Sequence, residues 1–232
     1  MRHLSLLLLA LLLAGCHTAA HTPEAAAPVT DAALPDSSQF EPDIAAFEAE
    51  DARVRRMPGA VVFVGSSSIR LWAGLHEDFP GTVLINRGYG GSRVYDSLRF
   101  ADRIVTPYQP RAVVFYAGDN DLQEGRTPQQ VAADFAAFVQ RVRAAQPGLP
   151  IAFISIKPSP VRAYLLPKVR EANALVRDYA GRHQVAYLDI YTPMLGADGQ
   201  PRESLFVADR LHMNREGYAI WAGVVGPWLR AL

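Results

Sequence analysis

The 232-residue sequence contains a single cysteine, Cys16, so no disulfide can close within the chain and the fold must be held by its core. Nor is there an excess of charge of either sign, with 23 acidic and 23 basic side chains. A polyanion such as nucleic acid finds no basic surplus to bind, and a hydrophobic share of 50% excludes wholesale disorder. No internal repeat stands out. The apolar run near the N-terminus, counted generously, is about ten residues long, well short of the roughly 20 that a membrane-crossing helix needs.

That run, Leu6 to Leu13, follows a short basic start (Arg2, His3) and leads into Ala14, Gly15 and Cys16, the pattern of a signal peptide over residues 1–16. The ending Leu13-Ala14-Gly15-Cys16 resembles a bacterial lipobox, which implies cleavage before Cys16 and lipid attached to it; an ordinary secretory signal containing a cysteine is the alternative. His17 follows, where an aspartate would resemble an inner-membrane retention signal. The expected location is therefore the cell envelope, lipid-anchored on the periplasmic face of the outer membrane. Residues 17–40 are expected to be a flexible tether, because they are mostly Ala, Pro, Thr and Asp without apolar periodicity. Residues 41–232 then form one domain, since about 190 residues is ample for one core and short for two.

Within that domain, β-branched runs alternate with amphipathic stretches. Strands are expected at Ala60 to Val64, Thr82 to Asn86, Ala112 to Tyr116, Ile151 to Ile156 and Val185 to Ile190, each nearly continuous in apolar residues, as in strands covered on both faces. Helices are expected at Ile69 to Glu77, Val94 to Arg103, Pro128 to Ala145, Pro167 to Arg182 and Arg215 to Arg230. In the third, Val131, Phe135, Phe138, Val139 and Val142 form one stripe. The alternation predicts a three-layer α/β/α domain on a flavodoxin-like parallel sheet of five strands. Ligands bind beyond the carboxyl ends of such strands.

Four segments lie at those ends. The first strand runs into Gly65-Ser66-Ser67-Ser68, where a serine at a strand-to-helix turn can serve as a nucleophile; read alone, the turn is more simply a serine-rich helix cap. The second strand is followed by Asn86-Arg87-Gly88-Tyr89-Gly90-Gly91-Ser92, whose glycines allow close backbone approach to a ligand. It carries neither the G-x-G-x-x-G spacing nor the lysine of a nucleotide-phosphate loop. After the third strand, Asn120 in Gly118-Asp119-Asn120-Asp121 can point an amide donor at a developing oxyanion, or simply close an Asx turn. Near the C-terminus, Asp209 and His212 are three apart, close enough for a carboxylate to fix the tautomer of a histidine that takes and returns a proton. A metal site is the rival there, but the other histidines show no ligand spacing relative to His212.

Together, in this order, Gly65-Ser66-Ser67, the Asn-x-Gly-x-Gly-Gly loop ending at Gly91, Gly118-x-Asn120-Asp121 and Asp209-x-x-His212 resemble the four signature blocks of the GDSL/SGNH hydrolases. The resemblance implies the SGNH hydrolase fold and a serine ester hydrolase that works through an acyl-enzyme with no metal or cofactor. Ser67 would be the nucleophile, His212 the general base and then acid, and Asp209 its orienting carboxylate. The backbone N–H groups of Ser67 and Gly91 and the side-chain amide of Asn120 would form the oxyanion hole. Short-chain acyl esters are the expected substrates, with acetylated carbohydrate among them. Lysophospholipase, thioesterase or acyltransferase activity on the same triad is the alternative, as is a non-catalytic glycan-binding lipoprotein. One departure is Ser66, which stands where the family has aspartate and bears on loop packing rather than on the triad.

Other residues read more plainly. Lys157, beside a proline turn, is expected to be solvated. Arg87, Tyr89 and Arg93 could contact substrate but are not distinguishable from surface residues. Trp72, Trp221 and Trp228 fit helix faces in the core. Asp119 and Asp121 lack calcium-loop spacing.

Overall fold

The computed structural model describes residues 34–232 apart from Arg55 and Met57. The signal segment, Cys16 and most of the expected tether lie outside the described residues. In chain order the elements are α1 (Glu41–Asp51), β1 (Val61–Gly65), α2 (Ser67–Arg70), α3 (Leu75–Asp78), β2 (Leu84–Gly88), α4 (Val94–Arg99), α5 (Ala101–Ile104), β3 (Ala112–Tyr116), α6 (Asp119–Gln123), α7 (Pro128–Ala145), β4 (Ile151–Ile154), α8 (Leu166–Arg182), β5 (Ala186–Leu188) and α9 (Arg215–Arg230).

The five strands are all parallel, in the order β2-β1-β3-β4-β5. Every residue of β1, β3 and β4 is buried, which is what their unbroken apolar composition demands of a sheet covered on both sides. On one face Val62, Val64, Val113 and Phe115 pack with α1, α4, α5, α7 and α8. On the other, Val61, Phe63, Val114 and Tyr116 pack with α2, α3 and α9. Order and layering are those of the flavodoxin-like three-layer sandwich of the SGNH hydrolases. Register sets Gly65 level with both Gly88 and Tyr116, so β1, β2 and β3 release their loops at one place.

Local chemistry fixes the long helices. The Thr127 hydroxyl accepts the Gln130 N–H at 3.2 Å while the Gln130 side chain accepts the Thr127 N–H at 2.9 Å, a reciprocal cap that starts α7 at Pro128. The expected stripe of Val131, Phe135, Phe138, Val139 and Val142 is the buried face of that helix. Asn214 caps α9 by accepting from the N–H groups of Glu216 and Gly217.

The structure departs from expectation in several places. The helix expected over Ile69 to Glu77 is two short ones, because the chain breaks around Trp72 to seat its indole against Phe63, Phe79, Tyr218 and Trp221. The helix expected over Val94 to Arg103 likewise divides at the buried Phe100. The third departure corrects the domain boundary. Residues 34–40 are not tether: Leu34 and Phe40 join the core, Ser37 is wholly buried with its hydroxyl donating to Asp96 at 2.5 Å, and the Phe40 ring meets the edge of Tyr89 at 5.2 Å. Three anchors within seven residues are too few to show a period, so composition alone read as disorder. The helix α1 that follows was not expected; Arg103 of α5 reaches both Glu41 and Glu48 on it.

If residue 40 belongs to the core, Phe40→Ala lowers the free energy of unfolding in urea by about 3 kcal/mol or more, the usual cost of emptying a buried aromatic site. A change within about 0.5 kcal/mol, as for surface positions, would restore the tether.

Candidate active site

At the end of β1 the backbone of Gly65 takes φ +141°, and a Cβ there would come within 1.7 Å of the Tyr116 carbonyl oxygen. Only glycine allows this approach. The Ser66 N–H donates to the same carbonyl at 3.0 Å, and α2 begins at Ser67. The three consecutive serines then separate by environment. Ser66 and Ser68 are buried, and their hydroxyls have no partner among the described residues. Ser67 is partly exposed, and its Oγ lies 3.0 Å from His212 Nε2. At the position of the expected departure, then, stands a small neutral side chain, buried and without a hydrogen-bond partner among the described residues.

His212 and Asp209 sit on one tight loop. It is closed by the antiparallel bridge between Phe206 and Met213 and by the Val207 N–H donating to the His212 carbonyl at 2.9 Å. Arg210, at φ +58°, takes the left-handed turn. Asp209 Oδ1 accepts the backbone N–H groups of Leu211 and His212, both at 2.9 Å, and its Oδ2 lies 2.6 Å from His212 Nδ1. Desolvation would raise the Asp209 carboxyl, but those N–H donors and the imidazole outweigh it and bring it down to about 2. An ionised Asp209 accepts a hydrogen bond from Nδ1–H and so keeps the proton on Nδ1, which leaves the Nε2 lone pair facing the Ser67 hydroxyl. Such an arrangement can withdraw a proton from Ser67.

Two further segments follow β2 and β3, which end level with Gly65. Gly91, at φ +81°, turns the chain between β2 and α4. Asn120 Nδ2 donates to the Ser92 carbonyl at 3.0 Å, and both oxygens of Asp121 lie 3.1 Å from the Val94 N–H. This pair of contacts clamps the Gly91 loop to α6. Burial pushes the Asp121 carboxyl up to about 8 even though Val94 donates to it. Among the described residues, neither the N–H of Ser67 nor that of Gly91 donates to another group.

Several charged residues depart from expectation. Lys157 is not solvated: it is 2% exposed, its Nζ donating to Asp119 Oδ2 at 2.6 Å and to the Tyr116 hydroxyl at 3.1 Å. Burial alone would raise the Asp119 carboxyl, but Lys157 and Arg162 together hold it below its ordinary value. Arg87 is buried against Asp51 and the Tyr108 hydroxyl, Arg93 is held by Asp96 and Glu124, and Tyr89 lies in the core. None of the three is a surface residue. Trp72 and Trp221 are core residues, and Trp228 is partly buried against the same cluster. Arg162 went unnoticed in the sequence; its NH2 donates to Asn120 Oδ1 at 3.0 Å. Nothing in the chain around it signals that role, because its partners lie more than forty positions earlier. Among the described residues no three His, Cys, Asp or Glu side chains gather where a metal could bind.

Comparison with known proteins bears on both fold and chemistry. Residues 64–220 match the model of the GDSL-like Lipase/Acylhydrolase family. No curated protein matches the chain. Among solved structures, a GDSL-like lipase from Bacteroides thetaiotaomicron superposes with TM-score 0.73 at 22% identity, covering 82% of this chain and 98% of that one. A structure described as an acetyl esterase mutant with acetate ion gives TM-score 0.59 at 20% identity, covering 75% and 97%. A carbohydrate esterase family 3 protein from Talaromyces cellulolyticus gives 0.58 at 19%, also covering 75% and 97%. At these identities each likeness speaks for the fold.

The ion pair beneath Asn120 makes a stability prediction. Asp119→Asn leaves the Lys157 ammonium buried without its counter-charge, and unfolding in urea should show a loss of about 3 to 5 kcal/mol. Replacing both partners with apolar residues, Asp119→Leu with Lys157→Met, should cost less than that single change.

Proposed function

We propose that this chain, which belongs to the GDSL-like lipase/acylhydrolase family and is an ester hydrolase, removes short acyl groups from hydroxyls of small molecules or glycans through a Ser67-His212-Asp209 triad. The observation that carries the reading is the continuous line of hydrogen bonds from Asp209 Oδ2 to His212 Nδ1, 2.6 Å, and from His212 Nε2 to Ser67 Oγ, 3.0 Å.

The reaction then follows from the geometry. Ser67 Oγ attacks the ester carbonyl as His212 Nε2 takes its proton, and Asp209, ionised throughout, stabilises the imidazolium. The N–H groups of Ser67 and Gly91 and the second N–H of Asn120 Nδ2 receive the charge that develops on the carbonyl oxygen. Collapse expels the alcohol, which takes the proton from His212. A water molecule, deprotonated in turn by His212, attacks the acyl-enzyme; His212 returns that proton to Ser67 Oγ as the acid leaves.

For the substrate, one surface feature supports a sugar. Tyr164 stands 67% exposed with its hydroxyl donating to Gln123 at 2.6 Å, so a fixed aromatic face is presented beside α6, suited to stacking on a sugar ring. The descriptions of the acetyl esterase and the carbohydrate esterase point the same way. Attachment to the periplasmic face of the outer membrane through lipidated Cys16 completes the proposal and rests on the N-terminal sequence alone, the signal pattern ending at Cys16 and the His17 that follows it.

Steady-state kinetics on aryl esters test the triad. Ser67→Ala and Asp209→Asn should each lower kcat by roughly 10⁴-fold or more, and Asn120→Ala by about 100- to 1000-fold, whereas Ser66→Ala and Ser68→Ala retain activity. Wild-type turnover in Ser67→Ala would remove the nucleophile. Across acetyl, butyryl and octanoyl esters kcat/KM should fall; a rise with length would replace the short-acyl reading with a lipase-like one. For the anchor, Cys16→Ser expressed in a two-membrane bacterium should move the protein from the membrane fraction to the soluble one, and unchanged membrane recovery would count against lipidation.

A further inference from the structure

We infer that Arg162 is a positioning residue for the oxyanion hole: its guanidinium holds the Asn120 carboxamide in the one orientation that presents Nδ2 and places positive charge directly behind that donor. The inference rests on the proposed role of Asn120 and extends it.

The guanidinium is forked across two consecutive residues. NH2 donates to Asn120 Oδ1 at 3.0 Å and NH1 lies 3.2 Å from Asp119 Oδ2. On the other side of the amide, Nδ2 donates to the Ser92 carbonyl at 3.0 Å. Rotating the carboxamide by half a turn would set its NH2 against the guanidinium, donor to donor, and its oxygen against the Ser92 carbonyl, acceptor to acceptor. Both contacts would be lost at a site where Asn120 is almost completely buried, so the orientation is determined by its surroundings. With one Nδ2 hydrogen engaged by Ser92, the other remains for substrate.

Charge adds to orientation. A cation hydrogen-bonded to the amide oxygen draws electron density from the amide and makes the remaining N–H a stronger donor. Arg162 is the second cation on the Asp119 carboxylate, whose Oδ2 also lies 2.6 Å from Lys157 Nζ. The segment is tied to the rest of the site as well. The N–H of Val161, the residue before it, donates to the carbonyl of Arg210 at 3.2 Å, within the loop that carries Asp209 and His212.

The test is a double-mutant cycle on an aryl acetate, with the thermal midpoint of each variant recorded. Arg162→Met should lower kcat on the order of 10- to 100-fold, the effect of one charge-assisted hydrogen bond, with KM little changed. Arg162→Lys, which keeps the charge without the fork, should recover part of the loss. In the Asn120→Ala background Arg162→Met should then add almost nothing, because the group it acts through is gone. A full additional loss in that background would overturn the inference, as would a rise in KM at unchanged kcat, which would mean that Arg162 binds substrate itself. If Arg162→Met does not fold, Arg162→Gln, which can still donate to Oδ1 without carrying charge, takes its place in the cycle under the same criteria. Near-wild-type turnover in Asn120→Ala alone is a separate outcome: it removes Asn120 from the hole and this inference with it, whereas additivity removes only Arg162.

Discussion

The Tyr116 carbonyl oxygen occupies the space in which a side chain at position 65 would stand. This approach is the constraint on which the site depends. It lets β1 end level with β3, and it gives the Ser66 N–H an acceptor at the point where the strand stops and α2 starts. Ser67 is therefore delivered at the crevice between β1 and β3, where loops leave the sheet to opposite sides. On the other flank of β1, the Tyr89 N–H donates to the Gly65 carbonyl at 2.9 Å, which brings the Gly91 loop to the same level. Three strand ends are thus joined through the backbone of one glycine before any side chain takes part.

Buried charge does the remaining positioning. Arg87 on Asp51, Arg93 on Asp96 and Lys157 on Asp119 are all pairs in which the cation is almost wholly removed from water. Such pairs add little net stability, since desolvating two ions offsets their attraction, but breaking one is costly. Their value lies in geometry. Asp96 receives Ser37 from the N-terminal segment and Arg93 from the end of the Gly91 loop, and so links the start of the described chain to the turn that precedes α4. Lys157 and Arg162 do the same between the segment after β4 and α6.

How much of this was legible in the sequence depended on how local each signal is. The ends of α7 and α9 could be read to the residue, because caps and apolar stripes lie within a few positions of the helices they define. Ser67, Gly91, Asn120, Asp209 and His212 could be singled out because each stands beside a strand or helix end within a short recognisable block. Lys157 was misread and Arg162 passed over for the opposite reason: each finds its partners about forty positions earlier, and only the folded sheet makes them neighbours. The break at Trp72 belongs with them, since the demand for a buried indole comes from Tyr218 and Trp221 on a distant helix. Residues 34–40 failed for want of length, their few apolar anchors being lost among the proline and alanine that precede them.

The Phe206–Met213 bridge has a consequence for how activity would be lost. Carboxylate and imidazole belong to a single hairpin-like loop that is attached to the body by few backbone contacts, while the hydroxyl and its neighbours belong to the sheet. Opening that loop would carry the proposed proton acceptor and its orienting anion away from Ser67 in one motion. In the proposed mechanism activity therefore depends on the closure of this small segment as well as on the packed layers, to which Phe206 and Met213 at its base belong.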